Sequence, residues 1–188
     1  MLAGVHQLRV SGMHNAANAL AAGALCRAAG VADDAIVAGW TQFSGLPHRV
    51  KKINEINKIE FYDDSKGTNV GATVAALRGM PQPVVLIAGG DGKGQDFTPL
   101  AAAARGKARA VVLIGRDAPR IAAAIGDAAP VLHAGDMTEA VALALAAARP
   151  GDAVVLSPAC ASYDMYRNYV HRAEVFAAAV AALEERQT

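Results

Sequence analysis

Val84-Val85-Leu86-Ile87 is apolar at four consecutive positions and runs directly into Ala88-Gly89-Gly90. A strand with one face in water alternates apolar and polar residues, so an unbroken apolar run belongs to a strand covered on both faces. That demands helices above and below a sheet. Further strand candidates flank it at Val50–Ile53, Lys58–Tyr62, Ala110–Ile114, Val131–Leu132 and Ala153–Leu156, the first two joined as a hairpin across Asn54–Asn57. Helical stretches separate the later strands, each with a start signal. Thr98-Pro99 supplies an N-cap followed by proline at the first helical position. Asp117 opens the next helix, Asp136 and Glu139 resemble a capping box, and a last helix carries Val170, Val175, Phe176 and Leu183. Strands alternating with helices over short links predict an α/β fold, a doubly wound, mostly parallel Rossmann-like sheet with helices on both faces.

Residues before this alternation have another texture. A strand fragment is expected around Leu8 to Val10, then a glycine break at Gly12. An alanine-rich helix follows from His14 to about Ala29, closed by Gly30, and a second starts at Asp33 with Ile36, Val37 and Trp40. Two helices and a strand end are too little for a domain and read as the remnant of another. Phe43-Ser44-Gly45-Leu46-Pro47 breaks the pattern and is the candidate linker.

In an open α/β sheet, ligands bind beyond the carboxyl ends of the strands, which selects the loops 63–69, 88–96 and 157–164. The first, Asp63-Asp64-Ser65-Lys66-Gly67-Thr68-Asn69, has no apolar side chain and precedes a helix carrying Val70, Val74 and Leu77, with Gly79 placed to stop it. A helix start beside a lysine suits an anion, although a well-capped surface turn reads the same way. The second, Gly89-Gly90-Asp91-Gly92-Lys93-Gly94-Gln95-Asp96, lets backbone approach a ligand, with Lys93 as a point charge. It has neither Walker nor dinucleotide-fingerprint spacing, and a flexible turn remains an equal reading. The third, Ser157-Pro158-Ala159-Cys160-Ala161-Ser162-Tyr163-Asp164, offers two hydroxyls but no nucleophile elbow, and nothing in sequence near Cys160 would lower a thiol pKa. Ser162 suits a hydrogen bond to an anionic ligand. His48 beside Arg49 reads as a surface pair, and Asn15 and Asn18 share one helix face, as structural amides or readers of a purine edge.

Composition removes other classes. A hydrophobic fraction of 53% with 19% charged residues suits a soluble chain with a real core, and 5% aromatics makes that core small and aliphatic. A net charge of +1, without a basic face or interleaved aromatics, argues against nucleic acid. No apolar run reaches the roughly 18 residues of a membrane span, and no secretory signal precedes the fold, so a cytoplasmic location is expected. Cys26 and Cys160 match no metal or redox spacing, His14, His48 and His171 do not group as ligands, and no metal site is expected.

The order His14-Asn15-x-x-Asn18, Gly45-Leu46-Pro47-His48-Arg49, Asp64-Ser65-Lys66-x-Thr68-Asn69, Gly89-Gly90-Asp91-Gly92-Lys93 and Ser157-Pro158-Ala159-Cys160-Ala161-Ser162 closely resembles the Mur ligases of peptidoglycan synthesis. Asp-Ser-Lys and Gly-Gly-Asp-Gly-Lys resemble the branch that adds D-glutamate. The resemblance implies that residues 1–45 end a central ATPase domain and that 46–188 form the C-terminal domain, which binds D-glutamate and closes over ATP. It implies an ATP-dependent, amide-forming ligase acting on UDP-N-acetylmuramoyl-L-alanine through an acyl phosphate, with Mg²⁺ held largely outside these residues. It also implies a cytoplasmic monomer, and a chain inactive alone because no Walker loop occurs in it. Asn15, Asn18, Arg49 and Asp64 would contact nucleotide, Asp64 at a ribose hydroxyl. Lys66, Thr68, Lys93 and Ser162, with the backbone at Tyr163 and Tyr169, would line the D-glutamate pocket, and no catalytic residue is assigned. Leu and Phe are the common family residues where Tyr163 and Tyr169 stand. An oxidoreductase of the same fold class lacks its fingerprint here, while a non-catalytic binding or interaction module remains the alternative.

Overall fold

The computed structural model describes residues 4–10 and 13–185. The chain divides into two compact units, Met1–Leu46 with Gly79–Pro81, and Pro47–Arg78 with Gln82–Thr188.

In the first unit, residues 4–10 hold a single 3-10 turn, Val5–Gln7, and bends, so the strand expected at Leu8 to Val10 does not form, and Gly12 lies outside the described residues. Two helices follow, α1 (Met13–Ala28) and α2 (Asp33–Gln42). Gly30, at φ +82, ends α1 in the left-handed turn that glycine enters without penalty, and the Val31 N–H returns to the Cys26 carbonyl. The helices meet where Trp40 lies on Gly23, since a Cβ there would stand 2.2 Å from the indole.

The second unit is one six-stranded sheet. Its strands are β1 (Lys51–Ile56), β2 (Ile59–Asp63), β3 (Val84–Gly89), β4 (Ala108–Ile114), β5 (Val131–His133) and β6 (Ala153–Leu156), in the order β1-β2-β6-β3-β4-β5. All neighbours are parallel except β1, which pairs antiparallel with β2 at one edge. The hairpin forms, but β1 runs to Ile56 and the turn shrinks to Asn57-Lys58, with φ of 52° and 63°. Two consecutive positive φ values give the primed turn whose twist matches its strands.

Side chains of alternate sign along a strand leave by opposite faces. Val85, Ile87, Val112, Ile114, Val154 and Leu156 bury one face with Met137, Ala140 and Phe176 of α6 (Met137–Ala147) and α7 (Tyr169–Glu185). The intervening Val84, Leu86, Val111, Leu113 and Val155 point the other way. There α3 (Val70–Gly79), α4 (Thr98–Ala104) and α5 (Ala118–Ile125) bring Leu77, Leu100 and Ile121, all fully buried. β3 is buried along its whole length, as its apolar run requires. At the amino ends of β4 and β6, Arg109 donates from Nε and Nη2 to the two carboxylate oxygens of Asp152.

Two helix starts differ from expectation. Phe97, not Thr98, occupies the N-cap of α4, and the Asp96 carboxylate accepts from the Thr98 N–H and hydroxyl. At α6, Asp136 accepts from the Glu139 N–H as a capping box requires, but Glu139 reaches back to the Gly135 N–H. No helix among the described residues is long and apolar enough to cross a membrane.

Candidate functional site

Because β6 is inserted between β2 and β3, the loops 63–69, 157–164 and 88–96 leave three adjacent strands at the same end of the sheet. Backbone bonds knit them together. Ala159 N–H donates to the Gly67 carbonyl at 2.9 Å, and Asp91 and Ala161 exchange a pair of bonds at 3.0 and 2.8 Å. Gln95 ties its own loop to the start of α3 and to the loop 157–164. Its Oε1 accepts from Val70 N–H at 3.0 Å, and its Nε2 donates to the Gly92 and Ala159 carbonyls at 2.9 and 3.3 Å.

This bonding qualifies the reading of the α3 start as an anion site, because N–H groups there are already occupied. Val70 N–H is taken by Gln95 and Ala72 N–H by Asn69 Oδ1, so positive charge here comes from lysine side chains. The glycine-rich loop differs too. A Cβ on Gly89 would stand 1.9 Å from the Ile114 carbonyl oxygen, and one on Gly90 2.3 Å from that of Ala161. Those glycines admit neighbouring protein backbone, at φ of +121° and +127°.

Lys93 lies on the exposed tip of that loop, and its Nζ reaches the Thr68 carbonyl at 3.4 Å. Lys66 is exposed and lays its ammonium over the Tyr169 ring, 4.1 Å from the centroid. The structure therefore brings Lys66, Thr68, Lys93 and Tyr169 into one group. Ser162 and Tyr163 stand on the neighbouring loop, Ser162 buried and Tyr163 76% exposed. The Ser162 carbonyl accepts from Tyr166 N–H at 2.7 Å, which fixes the turn between this loop and α7.

His48 is not a surface partner of Arg49. It is half-buried, its Nδ1 lies 2.6 Å from Asp63 Oδ2, and its ring meets Tyr169 edge-on at 5.8 Å. Its carbonyl accepts from Lys66 N–H. Asp64 is 6% exposed, with Oδ2 accepting from the Ser157 hydroxyl at 2.6 Å and Oδ1 from Val50 N–H at 3.3 Å. Burial raises its carboxyl pKa to about 6, against the downward pull of those two bonds and of the exposed Arg49 charge. The bonds bolt residues 48–50, and so Arg49, onto the first loop. Asn15 and Asn18 sit on α1 of the first unit, Asn15 half-buried and Asn18 exposed.

Cys160 is buried and its thiol is pushed up to about 12, chiefly by burial, which removes it as a nucleophile at neutral pH. The Ser157 hydroxyl is held in the same buried network, within 3.0 Å of Thr73 Oγ1. Sequence reasoning missed Gln95, the His48–Asp63 pair, and Arg172 on α7, whose guanidinium reaches the Ser65 and Cys160 carbonyls. Asp63 beside Asp64 was a visible signal, whereas Gln95 and Arg172 carried none. Among the described residues no three His, Cys, Asp or Glu side chains group together as a metal site would require of protein ligands alone.

Residues 48–160, more than half the chain, match the family model described as Mur ligase, glutamate ligase domain. A UDP-N-acetylmuramoylalanine–D-glutamate ligase of Ralstonia nicotianae is 62% identical over 94% of this chain and 36% of its own length. One from Nitrosospira multiformis is 60% identical over 95% of this chain and 38% of its own length. The chain thus spans well under half of these curated relatives. Among solved structures, a UDP-N-acetylmuramate–alanine ligase of Thermotoga maritima superposes with a TM-score of 0.66 at 18% identity, over 93% of this chain and 39% of that one. A Mycobacterium tuberculosis folylpolyglutamate synthase complexed with ADP gives 0.68 at 19%, over 90% and 41%. At such identities these structures bear on the fold alone, a mostly parallel α/β sheet.

Proposed function

The chain belongs to the Mur ligase family, and on that premise we propose that it supplies the D-glutamate site of an ATP-dependent ligase of cytoplasmic peptidoglycan synthesis. The observation that carries this reading is the convergence of Lys66 and Thr68, on one loop, with Lys93 on another, at the same end of the sheet. Two separate ammonium groups suit a ligand with two carboxylates. Ser162 and the backbone at Tyr163 and Tyr169 complete the pocket.

In the proposed reaction, the UDP-N-acetylmuramoyl-L-alanine carboxylate takes the γ-phosphoryl group of ATP and ADP leaves. The free amine of D-glutamate attacks the acyl phosphate, the carbon–nitrogen bond forms, and phosphate departs with the amine losing its proton to solvent or a base. This chain's part is to hold D-glutamate by its carboxylates so that the amine is free and aimed. Arg49, Asp64, Asn15 and Asn18 are the proposed nucleotide contacts. Residues 1–45 are proposed as the end of the ATPase domain and 46–188 as the C-terminal domain, a reading supported by the division at Leu46 and Pro47. Phosphate gripping and Mg²⁺ are assigned outside these residues, so the chain alone should form no ADP with both substrates present.

The test is a titration of the isotopically labelled chain with D-glutamate and, separately, L-glutamate, followed by amide NMR. D-glutamate should move Lys66, Thr68, Lys93, Ser162, Tyr163 and Tyr169, and L-glutamate should bind more weakly. Equal responses to both enantiomers, or shifts confined to other residues, would end the reading.

A further inference from the structure

Arg172 is fully buried, one turn into α7. Its Nη2 donates to the Ser65 carbonyl at 2.9 Å and its Nη1 to the Cys160 carbonyl at 3.2 Å. Its Nε is buried with no partner, as is the Ser65 hydroxyl. Among the described residues it forms no ion pair. Burial lowers its pKa to about 10, so it carries its charge at neutral pH.

A buried cation without a carboxylate is a poor way to fill a core, where a leucine or methionine would pack without desolvation. Its position supplies the reason. Ser65 is the residue before Lys66, and Cys160 stands two residues before Ser162. One planar fork therefore fixes a peptide plane in each of two ligand loops, adjacent in sequence to Lys66 and close to Ser162. The backbone bond from Ala159 to Gly67 joins the same two loops, and Arg172 adds the charge that such a bond lacks. Lysine, a compact point charge, cannot span two carbonyls as the guanidinium does.

We propose that Arg172 is a positioning residue for the anion site, holding the Ser65 and Cys160 peptide planes and, through them, the two loops that carry Lys66 and Ser162. This deepens the function proposed above and rests on it for the identity of the anion.

The experiment compares the wild-type 188-residue chain with Arg172→Lys and Arg172→Ala by carbonyl ¹³C NMR, D-glutamate titration and thermal unfolding. In Arg172→Lys the Ser65 and Cys160 carbonyl resonances should both move, and D-glutamate affinity should fall at least tenfold at a temperature where the variant remains folded. Millimolar guanidinium should restore binding to Arg172→Ala. Unmoved carbonyl resonances, or affinity within twofold of wild type in a folded Lys variant, would reduce Arg172 to a core staple. If neither variant folds, the Arg172 Nη signals of wild type decide, since they should shift on adding D-glutamate and an unchanged signal rejects the proposal. Should wild type bind no D-glutamate, the function reading fails, while the carbonyl comparison still judges whether Arg172 holds the two loops.

Discussion

Asp64→Asn should stabilise the chain at alkaline pH and do almost nothing at pH 4. Asp64 is 6% exposed, and its carboxyl pKa rises from 3.8 to about 6 through burial. The fold therefore prefers the neutral form. Its stabilising contribution is complete below about pH 4 and is lost as pH climbs through 6. A carboxyl pKa raised from 3.8 to about 6 corresponds to about 3 kcal/mol of destabilisation at pH 8. Asparagine can still accept from Val50 N–H, and its amide can donate to the Ser157 hydroxyl, which lies within reach of Thr73 Oγ1. At about 2–4 °C per kcal/mol for a chain of this size, the variant should melt about 6–12 °C above wild type at pH 8. The other perturbed carboxyls, among them Glu60, Asp117 and Asp152, are shifted downward. They are common to both proteins and cancel in the difference. The assay is thermal unfolding of both proteins from pH 4 to 8. A difference in Tm that stays flat across that range refutes the argument.

Lys93→Ala should weaken D-glutamate by 30-fold or more if the lysine meets a largely desolvated carboxylate, since losing one partner of such a pair costs about 2–5 kcal/mol. A change under threefold in the titration marks a solvated turn lysine. Native chain treated with iodoacetamide at pH 8 should be alkylated at exposed Cys26 and spared at buried Cys160; two modified thiols without denaturant contradict the burial described. Gln95→Ala removes three hydrogen bonds among the ligand loops and should lower D-glutamate affinity about tenfold, with Tm falling by only a few degrees. A large loss of Tm with affinity intact would show Gln95 serving the fold and not the site.

The sheet was legible wherever one residue pattern admitted one environment. The unbroken apolar run at Val84–Ile87 predicts a covered strand, and β3 is buried at every position. Strand order was not legible, because nothing local distinguishes β6 from an edge strand. That insertion is what makes the three loops neighbours. Lys66, Thr68 and Lys93 are assigned through the family resemblance, because their loops by themselves read equally well as surface turns. Gln95 and Arg172 could not be assigned, since their partners are backbone carbonyls and N–H groups far along the chain, and a carbonyl looks alike at every residue. His48 was misjudged for a related reason. Its true partner is Asp63, fifteen residues on, and adjacency to Arg49 in sequence says nothing of that pairing.

Backbone strain marks the same end of the sheet. Among the described residues, six non-glycine positions have positive φ. Two of them, Asn57 and Lys58, form the hairpin turn, where that conformation is required. The other four are His48, Val50, Lys93 and Ala159, each in the candidate loops or in the segment bolted to them. Val50 is the most telling, because a β-branched residue at φ 46° is held against its own sterics, at about 1–3 kcal/mol. What holds it is the Asp64 carboxylate on its N–H, a group whose own ionisation the fold opposes. Both penalties are relieved if the segment relaxes. They are compensated only if a defined placement of Arg49, between His48 and Val50, matters more to the protein than the stability given up. Geometry held at the expense of stability, at the carboxyl end of a parallel sheet, is the strain that the proposed nucleotide contact at Arg49 would account for.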